Sequence, residues 1–484
     1  MIHKNLISRY NIHPEIKLNF WRPDINKYQI HTYNDLIESI RHWKNILAEQ
    51  EDMAPGKKVG LAISYIDLRY TSCLFAVSEL GGVIPIMDTV PLHSKTKPRC
   101  RVLAPFDLYV YSNNIPQEAV NVGKWYAKKQ LDFNCWFDYT STTNHQYADV
   151  ILAQEDDVII VSPTSGSTEE PKKITYSHKW LSAVGDHCTQ TFNFSADDRI
   201  LHLSNLHHGG SSGCFFFPTV KHCKEHYFEH GMSLDPEDFE RIIKLIVDKK
   251  INRVMFPTSH ILDQVLRALP PLEHKCYFYT LQANLKSWIS EVKRINLAGI
   301  FSIFGASEML GPIFLNTITP ATTDSHDVLN YGKPLTNFYS VEIQDQQLYV
   351  SDKTGRNSLI SDRFEIDSNG DYHYKSRSSL IRVNEVTFEF GDLERILVEN
   401  FDALSAVLIA DSVSNKIYLL IDLSQQDTAD IPAKINNINL DLSNINKILK
   451  IGYVDYQPIK SFISGIKVNR SLVTEHFRKK FNLT

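Results

Sequence analysis

The sequence predicts an α/β protein with a large N-terminal domain and a small α+β unit after it. Strand and helix patterns alternate in two separate stretches, as they do where parallel strands are joined by crossover helices. From about Ser340 the texture changes to short strands and turns, and beyond Arg377 about a hundred residues remain for the smaller unit. The chain's 484 residues fit roughly three domains or a large-plus-small pair.

The first alternation opens at Tyr33–Gln50, where Leu36, Ile37, Ile40, Trp43, Ile46 and Leu47 recur at helical spacing after a Thr/Asn cap region. Lys58–Ser64 (KVGLAIS) reads as a buried strand. Asp67–Glu79 reads as a helix closed by Gly81–Gly82, with Val83–Met87 as the next strand. The second alternation has helices at Pro236–Lys249 and Trp288–Arg294, and strands at Arg253–Phe256 and Gly299–Phe304. In the β-rich section the turn Asp367–Gly370 (DSNG) separates two strands. The Asn/Ile-rich stretch Ile435–Ile451 reads as an amphipathic element of the small unit, and no internal repeat of fixed period is present.

Composition excludes several function classes. A hydrophobic share of 43% with 22% charged residues is that of an ordinary globular protein, not of a disordered chain or a fibre. A net charge of −5 supplies no basic field, so neither nucleic acid nor an anionic membrane is an expected partner. The seven cysteines lie scattered without CxxC spacing, which favours a reducing, cytoplasmic location. The N-terminus lacks an apolar signal region, and runs such as Val83–Met87 and Val158–Val161 are far short of the ~20 residues of a membrane span.

One segment looks chemical. Val158–Tyr176 (VIIVSPTSGSTEEPKKITY) carries an apolar strand into a cluster of Ser, Thr and Gly, then two lysines and a second strand-like run. Gly166 allows close backbone approach, the hydroxyls of Thr164, Ser165, Ser167 and Thr168 can donate to phosphate oxygens, and Lys172 and Lys173 can offset charge. A Walker loop is excluded because GxxxxGK[ST] is absent. Taken alone, the segment reads equally as a solvated linker.

TSGSTxxPK resembles the signature loop of the adenylate-forming superfamily, which includes acyl-CoA synthetases, peptide-synthetase adenylation domains and beetle luciferase. Further elements follow in that family's order: HTYNDL at His31–Leu36, ELGGVIPIMD at Glu79–Asp88, LHHG at Leu206–Gly209 and FGASE at Phe304–Glu308. Ser361–Asp362 stands at the family's TGD. SRSSLIRVNEVTFEFGDLE at Ser376–Glu394 resembles its hinge segment, and GIKVNR at Gly465–Arg470 resembles its terminal GKxxR with one extra residue. The likeness runs from about residue 31 to residue 470.

This resemblance implies stacked mixed β-sheets with helices over residues 1–377 and a mobile C-terminal lid over 378–484. It implies an enzyme that uses ATP and Mg²⁺ to convert a small carboxylic acid to an acyl-adenylate, releasing pyrophosphate. Thr164, Ser165, Gly166, Ser167, Thr168 and Lys172 would hold the β- and γ-phosphates. Phe304, followed by Gly305, would stack on adenine, and Ser307 would contact the α-phosphate. Glu308 would hold Mg²⁺, Asp362 the ribose hydroxyls, and Arg377 would lie near the ribose. Lys467 would reach the carboxylate and α-phosphate, and His208 would line the acyl site beside His207. Lys467, His208 and Glu308 are the expected catalytic residues.

The departures carry their own implications. Glu169 stands at a motif glycine, Ser376 at another, and Glu385 at the glycine that approaches a pantetheine arm. Adenylation is therefore better supported than thiolation. The acceptor is left open among coenzyme A, the phosphopantetheine of an acyl carrier protein, and an amine, as is a degenerate nucleotide-binding member. Ser204–Phe217 contains no acidic residue, which points to an acid without an α-amino group. His222, Cys223, His226 and His230 would suit zinc on a helix, but the resemblance predicts a strand there, which would scatter them over two faces.

Overall fold

A computed structural model describes residues 16–50, 53–62, 66–85, 104–112, 115, 117–133, 149–163, 173–203, 209–229, 236–257, 259–281, 286–323, 325–327, 330–344, 347–377, 380–383, 386–389, 394, 397–398, 401, 403, 405–411, 416–423, 435, 451–456, 463–464, 467–468 and 470–481. The described residues open with the hairpin β1 (Lys17–Arg22) and β2 (Lys27–Thr32). Thr32 then caps α1 (Tyr33–Asn45): its hydroxyl accepts from the Asp35 amide while the Asp35 carboxylate accepts from the Thr32 amide. The expected helix runs on to Gln50, but its last five residues, Ile46–Gln50, form a π-turn.

The first expected strand–helix–strand unit is present as β3 (Val59–Ala62), α2 (Leu68–Glu79) and β4 (Ile84–Pro85). Asp67 is the N-cap of α2 rather than its first turn, accepting from the Tyr70 amide. Every residue of α2 except Arg69 is buried, as expected of a helix enclosed on all sides. Inside that packing the Lys44 ammonium meets the Glu79 carboxylate at 2.7 Å. Gly81 takes φ +75°, and its carbonyl accepts from Gly56, closing the turn into β4.

β3 joins β5 (Phe106–Tyr111) and β6 (Ala127–Asp132), the last two linked by α3 (Gln117–Tyr126), in a three-stranded parallel sheet. β4 joins β7 (Val158–Pro163) and β8 (Lys173–Ser177) in a second sheet, with β7 and β8 antiparallel. The two sheets are linked by a parallel bridge between Lys58 and Val83. α4 (His178–Phe192) leaves β8 directly, capped by the Ser177 hydroxyl and ended by Asn193 in the left-handed region.

β9 (Arg199–His202) enters the largest sheet. The helix α5 follows, made of Gly209–Ser211, a π-turn at Ser212–Phe216, and Phe217–His222. Then come β10 (Glu225–Phe228), α6 (Pro236–Asp248), β11 (Arg253–Met255), α7 (Ser259–Ala268), β12 (Tyr277–Thr280), α8 (Ser287–Ile295), β13 (Gly299–Phe304) and β14 (Phe314–Ile318). The eight strands lie in the order β14-β13-β12-β11-β9-β10-β1-β2, parallel except for the two edge strands β14 and β2. One face packs on the apolar sides of α6, α7 and α8, burying Ile246, Leu262, Val265 and Trp288. The other joins α1, α2, α4 and α5 in a single core through Trp43, Phe75, Val184 and Phe215.

The β-rich section is an antiparallel meander of β15 (Tyr339–Gln344), β16 (Gln347–Asp352), β17 (Asn357–Ile366) and β18 (Tyr372–Arg377). The expected turn at Asp367–Gly370 is present, with the Gly370 amide donating to the Asp367 carbonyl and Gly370 at φ +79°. After it come the hairpin β19 (Leu380–Val383) and β20 (Val386–Glu389), and a three-stranded sheet of β21 (Ser405–Asp411), β22 (Lys416–Asp422) and β23 (Ile451–Tyr456). The short pair β24 (Ile463–Ser464) and β25 (Lys467–Val468) and the helix α9 (Arg470–Lys480) follow. This section has its own core, including Leu408, Leu419 and Ile421. No helix among the described residues is long and apolar enough to cross a membrane.

Candidate active site

The candidate site is built on the turn from β13 to β14. The Ile313 amide donates to the Phe304 carbonyl, so the turn closes on itself around a single 3₁₀ turn, Ser307–Met309. A β-carbon at Gly305 would lie 2.3 Å from the Gly311 carbonyl oxygen, so only glycine fits. Gly311 sits at φ +116°, and the buried Tyr339 hydroxyl donates to the next carbonyl back, that of Leu310, at 2.6 Å.

The backbone of this turn is held while its chemical side chains are left available. The Tyr176 hydroxyl donates to the Ser307 carbonyl at 2.9 Å, and Arg356 Nε donates to the Glu308 carbonyl at 2.8 Å. Burial raises the Tyr176 phenol far above its ordinary value, so it stays a donor at neutral pH. Neither the Ser307 hydroxyl nor the Glu308 carboxylate has a hydrogen bond or ion pair among the described residues. A half-buried carboxylate with open oxygens is a hard ligand of the kind Mg²⁺ prefers, so this donor set fits a metal-bound polyphosphate.

Beside the turn lies an aromatic cradle. The Phe304 ring is half-buried, with edge contacts to Phe364 at 4.9 Å, Phe314 at 5.9 Å and Tyr331 at 6.0 Å, and a tilted contact to Tyr374 at 6.1 Å. Tyr331 also pairs with the Ser302 hydroxyl at 3.1 Å, and burial pushes its phenol up to about 12. Asp362 is at the rim, where the Tyr374 hydroxyl donates to Oδ1 at 3.5 Å. Across the ladder Asp362 faces Arg377, the last residue of β18. The structure thus brings Phe304, Gly305, Ser307, Glu308 and Asp362 to one corner, with the backbone of Arg377 beside it.

Other expected site residues are elsewhere. Thr164, Ser165, Gly166, Ser167, Thr168, Lys172 and His208, with the departures Glu169 and Glu385, lie outside the described residues. The strands flanking 164–172 are nevertheless antiparallel partners, Pro163 opposite Lys173, so the segment bridges two adjacent strand ends. The residues after His208 form α5, whose π-turn meets the candidate turn: a β-carbon at Gly213 would lie 2.1 Å from Leu310 Cδ2. Lys467 lies in β25 opposite Ser464.

The cluster read as a zinc alternative is divided by secondary structure. His222 ends α5, Cys223 is buried after it, and His226 is in β10; His230 lies outside the described residues. No group of three or more ligating side chains among the described residues could hold a metal ion. His226 Nδ1 instead meets His202 Nε2 at 3.2 Å, and His202 stacks on Phe228, which stacks on Phe20. Burial holds His202 well below its ordinary value, so it is neutral packing. The residues that sequence reasoning missed are Tyr176, Tyr374 and Arg356.

No curated protein matches the sequence. Solved structures match almost end to end. McyG A-PCP, complexed with phenylalanyl-adenylate, has a TM-score of 0.77 at 14% identity, covering 99% of this chain and 95% of that one. ATP-bound MatB from Rhodopseudomonas palustris has a TM-score of 0.75 at 14% identity, with 99% of both chains covered. The O-succinylbenzoate coenzyme A synthetase MenE from Bacillus subtilis, in complex with ATP and magnesium, has a TM-score of 0.74 at 14% identity, covering 97% of this chain and 99% of that one. At that identity the likeness establishes the fold, a large mixed α/β N-terminal domain with a small C-terminal one. The model of the AMP-binding enzyme family matches residues 14–356. With that match over most of its length, the chain belongs to the AMP-binding enzyme family of adenylate-forming ligases.

Proposed function

We propose that this enzyme activates a small carboxylic acid lacking an α-amino group, forming an acyl-adenylate, and passes the acyl group to an acceptor. A carboxylate oxygen attacks the α-phosphorus of ATP, and the bond to the bridging oxygen breaks as pyrophosphate leaves with its electron pair. Such a step depends on positioning and on offsetting charge, with little other chemistry left to the protein. The observation that carries the reading is the Ser307–Glu308 turn, its carbonyls pinned and its polar side chains unused, beside an aromatic cradle rimmed by Asp362.

In this reading Phe304 packs on adenine, Asp362 accepts from the ribose hydroxyls with Arg377 alongside, and Ser307 donates to the α-phosphate. Glu308 holds the Mg²⁺ that arrives with ATP. Thr164–Thr168 and Lys172 enclose the terminal phosphates, His208 borders the acid, and Lys467 offsets charge where carboxylate and α-phosphate meet. Residues 1–377 form the adenylation domain and 378–484 the lid that delivers Lys467, working in the cytoplasm. Support for adenylate formation, though not for the choice of acid, comes from the solved structures of McyG A-PCP with phenylalanyl-adenylate and of MenE with ATP and magnesium.

Carboxylate-dependent exchange of labelled pyrophosphate into ATP tests the proposal. No exchange with any acid in a broad panel would sink it. Acceptor choice is a second measurement. Coenzyme A-dependent loss of free thiol would assign a synthetase, whereas transfer only to a carrier-protein phosphopantetheine or an amine fits the glutamate at position 385.

A further inference from the structure

Arg356 follows the tight turn that ends β16, where Gly355 takes φ +90° and the Asp352 carboxylate accepts from the amides of Thr354 and Arg356. Its guanidinium spans two distant parts of the chain. Nε donates to the Glu308 carbonyl at 2.8 Å, and Nη1 donates to the Thr175 carbonyl at 2.9 Å. The plane lies 4.0 Å over the Trp180 ring, and the Trp180 indole N–H donates to Asp352 at 2.7 Å, so stack and turn lock each other. No carboxylate forms an ion pair with Arg356 among the described residues. Its donors go to two neutral carbonyls, with the Asp352 and Glu308 carboxylates acting on its charge only beyond ion-pair distance, an arrangement that orients backbone.

The three segments it joins are those that must stay in register around a nucleotide. Thr175 is in β8, which leaves the segment 164–172; Glu308 is in the turn of the candidate site; and Arg356 itself immediately precedes β17, which carries Asp362. A lysine could supply the charge but not two diverging donors and a planar stack.

We propose that Arg356 is a positioning residue that sets the spacing between the strand leaving the phosphate segment and the Ser307–Glu308 turn. It thereby holds the Glu308 carboxylate where a metal-bound triphosphate needs it. The inference rests on the adenylation reading above but is measurable without turnover. AMP keeps the α-phosphate that Ser307 is proposed to meet but lacks the terminal phosphates and their metal, so its binding depends on that spacing far less than binding of MgATP does.

Calorimetric titration of Arg356→Ala and Arg356→Lys with MgATP and with AMP is the test, alongside exchange kinetics and thermal midpoints. For Arg356→Ala, MgATP binding weakens about tenfold while AMP binding weakens much less, and exchange kcat falls about a hundredfold, the size of a roughly 1 Å misplacement, at constant KM for the acid. Arg356→Lys recovers little of either. Full rescue by lysine would overturn the inference in favour of a simple charge effect. Equal weakening of MgATP and AMP with a lowered thermal midpoint would overturn it in favour of a merely structural role. If the wild type shows no exchange while the difference between MgATP and AMP persists, the adenylation reading fails and the role of Arg356 stands.

Discussion

The Ser307–Glu308 turn and the Lys467 strand are expected to serve one phosphate, yet they are held in opposite ways. The turn is fixed by its own glycine-to-backbone contact and by two tyrosine hydroxyls and a guanidinium drawn from other elements. Lys467 lies in a strand of two residues, paired among the described residues with a partner of the same length. A group that defines a site is locked by its surroundings, whereas one that arrives and leaves has only local support. In the proposed function, nucleotide geometry is built in advance and the charge of Lys467 is delivered to it.

The largest test of this contrast is Lys467→Ala. Exchange should fall by about 10²–10³, the usual cost of one charge-stabilising donor, while MgATP affinity stays near wild type. Exchange at the wild-type rate would remove Lys467 from the chemistry. Next is Gly305→Ala, whose added methyl must displace the Gly311 carbonyl. Chemical denaturation should show a loss of about 1–3 kcal/mol, accompanied by weaker nucleotide binding. A neutral result would mean that the turn is less fixed than its contacts imply.

Asp362→Asn probes the rim of the cradle. It keeps the shape but removes the charge on an acceptor, so KM for ATP should rise about tenfold with kcat nearly constant. A fall in kcat alone would move Asp362 from binding to the reacting centre.

The smallest effect concerns the scaffold at the β8–α4 junction. Burial lowers the His178 imidazole from 6.5 to about 4. Between those values the unfolded chain binds a proton that the folded one refuses, so stability declines as pH falls from 6.5 to 4. The slope is at most about 1.4 kcal/mol per pH unit, and this group causes no further loss below pH 4. Thermal midpoints across that window should fall less steeply in His178→Leu. An unchanged slope would assign the acid sensitivity to other groups, such as His202.

One corner of the candidate site was legible because its residues, Phe304 to Glu308, are close in sequence. Phe304 to Glu308 form one turn, and the first strand–helix–strand unit declares itself through apolar strand runs and the Gly81–Gly82 stop after its helix. Arg356 had no such signature: its two carbonyl partners are 48 and 181 residues away, and an arginine after a glycine in a hairpin is unremarkable. Tyr176 was equally hidden, since the tyrosine ending an apolar strand reads as core until its hydroxyl is seen to reach Ser307 131 residues on. The π-turns at Ile46–Gln50 and Ser212–Phe216 escaped because one extra residue per turn barely disturbs an apolar period. Long-range hydrogen bonds, not local pattern, determine these features.

The contact between Gly213 and Leu310 limits how this enzyme could be re-engineered. α5 begins directly after the segment expected to border the acid, and Leu310 follows the turn expected to meet the nucleotide. Because a side chain at 213 would have to displace the Leu310 side chain, a designer enlarging or reshaping the acid pocket from this helix also moves a residue that follows the nucleotide turn. Substitutions on either side would have to be selected as pairs, and libraries that vary only the pocket should return inactive variants more often than pocket volume alone would suggest.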